Sequence, residues 1–277
     1  MREFRDRVAV VTGAAHGVGR ALANECANEG MRVVVADIEG EPAEVVAASI
    51  RDRGGQAIAV ETDVAERAQV EALAERTYAE FGAAHLLFNN AGVSMHKKIE
   101  ESEVNDWEWV LAVNLWGPLN GIHAFLPRMR AQGGEAHIVN TASMSGLIAR
   151  RNQRGIYQAV KHGVVALTNA LRHELKADDG EISCSVFCPG GMLTDIEDAG
   201  RHRQQRFGGP FTLGPMPVPR QPNPVYPEDI APRVLEAIRQ DQRYIFSHPH
   251  TRADLEEHYA DILEGFDAAA RIAEQVG

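Results

Sequence analysis

Residues 7–19 read RVAVVTGAAHGVG, an apolar run that passes directly into a glycine-rich turn. The β-branched residues of the run favour a strand buried on both faces, and the apolar spacing over residues 22–27 predicts a helix after the turn. In such a unit, glycines let the backbone turn sharply and approach a pyrophosphate at the helix amino terminus. Gly13, Gly17 and Gly19 follow the spacing Gly-x-x-x-Gly-x-Gly, not the usual Gly-x-Gly-x-x-Gly. The strand and helix around them still predict a dinucleotide-binding unit.

An acidic residue ends the second predicted strand. Residues 31–36 form this strand, and Asp37 follows it, 18 residues after Gly19. A carboxylate at this position is expected to hold ribose hydroxyls and to repel a 2′-phosphate. Because neither Ile38 nor Glu39 supplies a compensating cation, the sequence predicts a preference for NAD over NADP.

Strand and helix signals alternate along the rest of the chain. Further strands with their turns are predicted over residues 58–64, 86–92, 137–143, 184–190 and 244–246, and a helix over 228–239. This alternation predicts an α/β fold of the Rossmann type, with a doubly wound, mainly parallel sheet, helices on both faces, and residues 1–277 in a single domain. The proline-rich stretch 192–227 is expected to be a substrate lid within that domain. Residues 251–277 are predicted to form an amphipathic helical tail that covers the sheet end or packs against another subunit.

Tyr157 and Lys161 lie four residues apart on a predicted helix, which places both side chains on one face. A lysine ammonium there favours the phenolate form of the tyrosine, whose pKa in water is about 10. Ser143 ends a predicted strand 14 residues before Tyr157, and Asn114 lies on a long predicted helix. Hydrolysis by a serine nucleophile is a poor alternative, because Ser143 lacks the Gly-x-Ser-x-Gly setting.

With these motifs in this order, the chain resembles the short-chain dehydrogenase/reductase family, in its single-domain form with an Asn-Ser-Tyr-Lys tetrad. The matching motifs run over residues 8–194. The resemblance implies that Tyr157 is the general acid/base and that Ser143 hydrogen-bonds the reacting oxygen. It implies that Lys161 binds the nicotinamide ribose and lowers the Tyr157 pKa, and that Asn114 holds a water linking Lys161 to solvent.

The same resemblance implies a set of residues that bind NAD. The glycine turn would cradle the pyrophosphate, Asp63 and Val64 would flank the adenine, and Thr194 would lie near the nicotinamide carboxamide. His16 is expected to be an exposed residue of the loop rather than a phosphate ligand. The full set is Gly13, His16, Gly17, Val18, Gly19, Asp37, Asp63, Val64, Asn90, Ala91, Gly92, Tyr157, Lys161, Pro189, Gly190, Met192 and Thr194.

The resemblance implies an NAD(P)-dependent oxidoreductase that acts on CH–OH groups and interconverts a secondary alcohol and a ketone. Two alternatives stay open on the same fold: a non-catalytic nicotinamide-sensing regulator, and an epimerase or dehydratase that uses bound cofactor. A regulator would not need Tyr157, Lys161 and Ser143 together. The epimerase or dehydratase alternative is disfavoured because the chain has little room for a separate carboxy-terminal substrate domain.

The predicted lid is rich in apolar residues, which favours a fairly large hydrophobic or aromatic small molecule as substrate. These residues are Met192, Leu193, Phe207, Phe211, Leu213, Met216 and Val218. Two arginine clusters, Arg150/Arg151/Arg154 and Arg201/Arg203/Arg206, suit either an anion grip or, as the favoured interpretation, solvated turns and subunit contacts. His96 is a further candidate for the border of the pocket, with no direction fixed by sequence.

Composition limits the other classes of function. The net charge of -11 argues against nonspecific nucleic-acid binding, and no stretch approaches the 18 or so apolar residues of a membrane span. The charged amino terminus lacks the apolar region of a signal peptide, and three cysteines suit a reducing cytoplasm. No paired Cys or His cluster suggests a metal site.

Two helices are expected to pair across a two-fold axis, as the resemblance implies, which gives a homodimer or homotetramer. Both carry apolar residues on more than one face: Trp109, Leu111, Leu115 and Trp116 on the first, and Val164, Val165, Leu167 and Leu171 on the second.

Overall fold

The computed structural model describes residues 1–149, 154–178, 180–212 and 225–276. Seven strands form one parallel sheet in the order β3-β2-β1-β4-β5-β6-β7. The strands are β1 Val8–Thr12, β2 Arg32–Asp37, β3 Gln56–Glu61, β4 Leu86–Asn89, β5 Ala136–Thr141, β6 Ile182–Cys188 and β7 Tyr244–Phe246. The helices are α1 Gly17–Asn28, α2 Gly40–Asp52, α3 Arg67–Phe81, α4 Val104–Leu111, α5 Gly117–Gln132, α6 Gly155–Ala177, α7 Pro227–Arg239 and α8 Arg252–Val276. The predicted doubly wound α/β architecture is confirmed.

Helices cover both faces of the sheet because its central strands are apolar on both sides. All five residues of β1 are buried. Ala9 and Val11 face the core formed with α1, α2 and α7, whereas Val10 faces the core formed with α3 to α6. This period-two alternation divides one short strand between two cores. Cys26, Cys184 and Cys188 are buried free thiols in these layers.

The third and fifth strands end earlier than predicted. β3 ends at Glu61, and the Asp63 carboxylate then accepts a hydrogen bond from the Ala65 amide at 2.9 Å, which turns the chain toward α3. β5 ends at Thr141, whose carbonyl accepts a hydrogen bond from Lys161 Nζ at 2.7 Å. Side chains therefore end both strands, and hydrophobic patterning does not report such contacts.

The long helix predicted around Asn114 is present from Val104 to Gln132, but it is not a regular α-helix throughout. A π-turn at Ala112–Trp116 separates α4 from α5. Asn114 lies within it and brackets the backbone of Val93: Nδ2 donates to the Val93 carbonyl at 2.8 Å, and Oδ1 accepts from the Val93 amide at 2.8 Å. A π-turn accommodates one extra residue in a helix and is common at functional sites.

Two predicted regions are described in part or in a different setting. Of the expected lid, residues 192–212 and 225–227 are described, with 3-10 turns at Asp195–His202 and Gln205–Phe207. Leu213, Met216 and Val218 lie outside the described residues, as do Arg150 and Arg151. The tail forms α8, which has no fully buried residue and contacts the core near β6 only through the partly buried Leu255.

Among the described residues, no helix is both long and apolar enough to cross a bilayer. The same ranges contain no group of three or more His, Cys, Asp or Glu side chains placed to hold a metal ion.

A chain of buried polar side chains joins β4, β5 and α6. Asn89 Nδ2 donates to Asn140 Oδ1 at 2.8 Å, and Asn140 Nδ2 donates to Thr168 Oγ1 at 3.0 Å. Gly121 of α5 lies against Asn89 so closely that a Cβ there would be 2.0 Å from its Oδ1. The glycine therefore leaves the space in which Asn89 reaches Asn140.

We expect Gly121→Ala to lower the free energy of unfolding by about 1–3 kcal/mol, since the methyl group displaces Asn89 and leaves buried amides unpaired. Chemical denaturation measures the change. His123→Ala, on the exposed side of the same helix, is the control and should stay within about 0.5 kcal/mol of the wild type. An unchanged Gly121→Ala protein would mean that α5 can shift away from β4 at little cost.

Candidate active site

The turn after β1 has a shape that its glycines alone permit. Gly13 and Gly17 have φ angles of +64° and +49°. A Cβ on Gly19 would lie 1.9 Å from the Gly13 carbonyl oxygen and 2.7 Å from Asn90 Nδ2. A Cβ on Gly13 would lie 2.7 Å from Ala91 Cα. Side chains at these positions would push apart the turn, the start of α1 and the loop after β4.

Thr12 fastens the loop after β4 to this turn. Its Oγ1 accepts hydrogen bonds from the Asn90 amide at 2.9 Å and the Ala91 amide at 3.1 Å, and it donates to the Phe88 carbonyl at 3.2 Å. Asn90 Nδ2 also donates to the Thr12 carbonyl at 3.0 Å. The predicted residues Asn90 and Ala91 are thereby placed beside the glycine turn.

The amino terminus of α1 suits an anion. His16 occupies the cap position, but no side chain caps the helix, and no acidic residue lies in its first turn. The first amide groups of a helix lack partners within it and carry the positive end of its dipole. The residues present therefore fit a diphosphate group at the amides of Gly17, Val18 and Gly19.

Asp37 is a buried carboxylate at the end of β2. Its Oδ2 accepts a hydrogen bond from the Ala15 amide at 2.9 Å, and its Oδ1 accepts one from the Glu39 amide at 3.0 Å. A carboxylate has about four acceptor positions, so further donors such as ribose hydroxyls can still bind. The role of Asp37 at the adenosine ribose stays a prediction.

Glu39 has a set of partners that the sequence analysis missed. Its Oε2 lies 2.9 Å from His16 Nε2, 3.0 Å from Arg201 Nη2 and 3.1 Å from His202 Nε2. Burial raises the pKa of Glu39, but the charges of His202 and Arg201 outweigh it and lower that pKa overall. Ile38 and Glu39 supply no cation, as expected, but Glu39 itself pairs with Arg201, which lies 162 residues further along the chain.

The arginines of the expected lid pair with carboxylates at the amino-terminal ends of α2, α3 and α4. Arg203 Nη1 donates to the buried Asp106 Oδ1 at 2.8 Å, and Arg206 pairs with Glu66. Beside them, Gln204 Nε2 donates to Asp63 Oδ2 at 2.5 Å. We call residues 195–207 the strap. Its paired charges do not support the hypothesis that Arg201, Arg203 and Arg206 grip an anion.

Val64, the other predicted adenine neighbour, is buried beside α5. Its carbonyl accepts a hydrogen bond from Asn120 Nδ2 at 3.0 Å. A Cβ on Gly117 would lie 2.9 Å from Val64 Cγ2, so α5 passes close to this residue.

Lys161, Asn114 and Gly92 meet below the carboxyl end of β5. Lys161 Nζ donates to the Thr141 carbonyl, as described above, and a Cβ on Gly92 would lie 3.6 Å from Nζ and 3.1 Å from Asn114 Oδ1. The ammonium group is also 5.6 Å from the ring centroid of Tyr157. The structure thus brings together three of the four predicted tetrad residues.

Ser143 completes the group. It hydrogen-bonds the Tyr157 hydroxyl, and its Oγ lies 3.4 Å from the Pro189 carbonyl. Its Oγ also accepts a hydrogen bond from the Ser145 amide at 3.1 Å, which fixes the turn that follows β5. The hydroxyl groups of Ser143 and Tyr157, both predicted to be catalytic, are therefore hydrogen-bonded to each other.

Burial has the largest effect on the pKa values of Tyr157 and Lys161. Burial raises the pKa of Tyr157, and the hydrogen bond from Ser143 opposes it without reversing the direction. Burial also lowers the pKa of Lys161 to about 8. In the protein without cofactor, burial outweighs the effects that lower the Tyr157 pKa, and the lowering by Lys161 that the resemblance implies stays a prediction.

Two charged side chains, Glu197 and Arg154, act on Tyr157. Glu197 of the strap lies 2.6 Å from His96 Nε2 through Oε2 and 2.6 Å from Arg154 Nη2 through Oε1. Burial raises the pKa of Glu197, but the hydrogen bond from His96 and the charge of Arg154 lower it overall. Glu197 and Arg154 act on the Tyr157 pKa in opposite directions. The sequence does not fix the direction of His96 and gives no sign of Glu197.

The segment after β6 returns over the glycine turn. The Gly190 amide donates to Ser247 Oγ at 2.9 Å, and a Cβ on Gly190 would lie 2.7 Å from the His248 ring. Met192 forms a backbone bridge to Val225. Thr194 approaches the other side of the turn, 3.1 Å from the position of a Cβ on Gly17. Ser247 and His248, which sequence reasoning missed, support this segment from beyond β7.

Known proteins share this sequence pattern and fold. A family model described as short chain dehydrogenase matches residues 7–205. The chain is similar to a short chain dehydrogenase/reductase of Burkholderia phymatum, solved in complex with NAD, with a TM-score of 0.88, 39% identity, and coverage of 96% of this chain and 97% of that chain. It is 33% identical over 261 residues to the 1-deoxy-11-beta-hydroxypentalenate dehydrogenase of Streptomyces exfoliatus, covering 94% of this chain and 89% of that protein. It is 42% identical over 195 residues to the cyclohexanol dehydrogenase of Acinetobacter sp. (strain SE19), covering 70% of this chain and 76% of that protein.

Burial of Lys161 predicts a pH dependence of stability. The unfolded lysine keeps its proton up to a pKa of about 10.5, whereas the folded one loses it at about 8. Between these values the unfolded state binds more protons, so raising the pH favours folding by up to about 1.4 kcal/mol per pH unit. We expect wild-type protein without cofactor to gain stability relative to Lys161→Met between pH 8 and 10.5, by chemical denaturation. Parallel curves for the two proteins would show that the folded lysine keeps its proton.

Proposed function

The chain belongs to the short-chain dehydrogenase/reductase family, and from this premise we propose that it is an NAD-dependent dehydrogenase that interconverts a secondary alcohol and a ketone. Membership makes it an oxidoreductase that acts on CH–OH groups. The observation that carries the finer proposal is the meeting of Ser143, Tyr157 and Lys161 beside an uncapped helix amino terminus and a buried Asp37.

In this proposal the edge of the sheet holds the cofactor along its length. The amides of Gly17, Val18 and Gly19 hold the diphosphate, and Asp37 accepts hydrogen bonds from the adenosine ribose. Asp63 and Val64 lie at the adenine, and Asn90, Ala91 and Gly92 border the second ribose with Lys161. The segment from Pro189 through Gly190 and Met192 to Thr194 lies at the nicotinamide. NAD, when bound, supplies the hydride acceptor and the positive charge of its oxidised ring.

Proton transfer in this proposal runs through Tyr157. During alcohol oxidation its Oη accepts the hydroxyl proton, and during ketone reduction it returns that proton to the carbonyl oxygen. Ser143 donates a hydrogen bond that favours the phenolate. Lys161, fixed by Thr141, adds positive charge at the ring. Asn114 fixes the loop at Val93 and, as the family resemblance implies, holds a water that links Lys161 to solvent.

The preference for NAD rests in this proposal on two carboxylates. Asp37 repels a 2′-phosphate directly. Glu39 acts indirectly, since it pairs with Arg201, whose guanidinium would otherwise attract such a phosphate. The similar structure from Burkholderia phymatum contains NAD, which agrees with this choice.

The substrate in this proposal is a hydrophobic or aromatic small molecule. The names of two relatives refer to cyclohexanol and to hydroxypentalenate, which supports an alcohol with a bulky carbon skeleton. The lid residues give less support, because Phe207 is buried and Phe211 packs edge-on against Trp109 at 5.5 Å between ring centroids. In this proposal Arg154 and Glu197 are charged groups at the border of the substrate pocket, and His96 binds Glu197 there.

A homodimer or homotetramer remains part of the proposal. Four of the eight apolar residues expected at the helix pair are buried within one subunit: Trp109, Val164, Val165 and Leu171. Trp116 is 56% exposed and is the clearest candidate for a contact between subunits.

We expect Asp37→Ala to lower the ratio of kcat/KM with NAD to kcat/KM with NADP by about tenfold or more, through loss of charge-assisted hydrogen bonds. Adding Glu39→Gln should lower it further, because Arg201 and His202 are released. Steady-state kinetics with both cofactors measure the ratio, and the exposed Glu41→Gln serves as the control. A higher kcat/KM of the wild type with NADP would reverse the assignment.

Tyr157→Phe removes the transferable proton and keeps the ring. We expect kcat to fall at least 10²-fold, as is typical for a general acid/base, while NAD binding measured by calorimetry is retained. Lys161→Ala should weaken both turnover and binding. Near-normal turnover by Tyr157→Phe would remove this tyrosine from the mechanism, and tight NAD binding without turnover of any alcohol by the wild type would favour a regulator.

A further inference from the structure

Helix α8 extends from the body of the subunit with its apolar side uncovered. Leu255 packs against a small core cluster near β6, but from Tyr259 to Val276 nearly every side chain is exposed. Phe266 is 71% exposed and Leu263 is 62% exposed. At 1.5 Å per residue this part of the helix is roughly 27 Å long. Tertiary packing of an apolar face normally stabilises a helix, and here the subunit does not provide it.

The apolar residues of α8 follow a heptad pattern. They recur at alternating intervals of four and three residues: Leu255, Tyr259, Ile262, Phe266, Ala269, Ala273 and Val276. An average repeat of 3.5 residues is the pattern of helices that pack against other helices, knobs into holes. The expected occupant of this face is therefore a helix with a matching seam.

From Tyr259 to Val276, the charged residues of α8 lie away from that seam. The positions beside it are apolar or small, namely Leu263, Gly265, Ala270 and Ile272. The acidic residues of the same stretch, Asp261, Glu264, Asp267 and Glu274, occupy the remaining positions. Two copies of this acidic helix can therefore pair without bringing like charges into the contact.

The sizes of the seam residues point to the orientation of the pair. The first half of the seam is large and the second half small, so a parallel pair would set large against large and leave gaps between alanines. In an antiparallel pair centred between residues 267 and 268, Phe266 faces Ala269, Ile262 faces Ala273, and Tyr259 faces Val276. The flanking residues match in the same register, with Leu263 near Ala270 and Ile272 near Gly265.

We propose that α8 is a docking surface for α8 of a second copy of this chain, paired antiparallel about a two-fold axis at its centre. Such a contact is isologous and closes on itself. Six large apolar side chains from each copy can together remove on the order of 1,000 Å² from water, the size expected of a specific interface.

The first test measures the mass of the full chain by light scattering. Phe266→Glu places a charge at the centre of the seam, and we expect the mass of the assembly to fall at least twofold. Gln275→Glu adds the same charge on the outer side and should leave the mass unchanged. Circular dichroism and thermal unfolding confirm that both variants fold. A monomeric wild type, or a Phe266→Glu protein of unchanged mass, overturns the proposal.

The second test fixes the orientation by disulfide cross-linking. Ile262→Cys with Ala273→Cys cannot bridge within one helix, since the two positions lie roughly 16 Å apart along it. We expect this double variant to form covalent dimers under mild oxidation and the single Ile262→Cys variant to form none. Cross-linking by the single variant would show parallel pairing. No cross-link in a Phe266-sensitive assembly would mean that α8 docks elsewhere on its partner, and either result rejects the antiparallel pair.

Discussion

The close approach of three backbone segments at the end of β1 sets the geometry of the whole site. Gly19 lies directly against the Gly13 carbonyl, and Thr12 draws the chain after β4 onto the same turn. Sheet order reverses between β1 and β4, so the two strands diverge into helices on opposite faces and leave a crevice there. The features assigned to cofactor binding, from the uncapped α1 to the buried Asp37, border this crevice because parallel strands end on one edge.

The strap adds further contacts across that edge of the sheet, and these contacts contribute different amounts to stability. Arg201 and Arg206 are exposed, and ion pairs of exposed side chains contribute about 0–1 kcal/mol. Arg203 is different, since it meets the buried Asp106, which also binds Lys97 Nζ at 2.8 Å. Loss of one partner there would leave a buried charge uncompensated. Arg203 is thus the anchor of the strap, and the outer pairs set its position.

Local patterns in the sequence were sufficient for the elements and the order of the motifs. β7 was predicted to the residue and α7 to within one, because apolar periodicity reports burial directly. The tetrad could also be proposed from the sequence, because the separations between its four residues match the pattern of the family that the chain resembles. The π-turn at Asn114 could not, because it depends on Val93 and not on helical propensity. Glu39, Glu197 and Ser247 were missed for a related reason, as their partners are brought near only by the fold.

Because of the π-turn, the rotation of α5 relative to α4 depends on the number of residues between the two helices as well as on their types. Each residue rotates a helix by about 100°. Deleting one residue within Ala112–Trp116 would allow a regular helix and would turn Asn114 away from Val93 while α5 kept its hold on the sheet. Inserting one would add a second irregularity. In the evolution of this chain, a change of length in the segment would therefore detach Asn114 from the loop that it holds, whereas a substitution leaves the helical register unchanged.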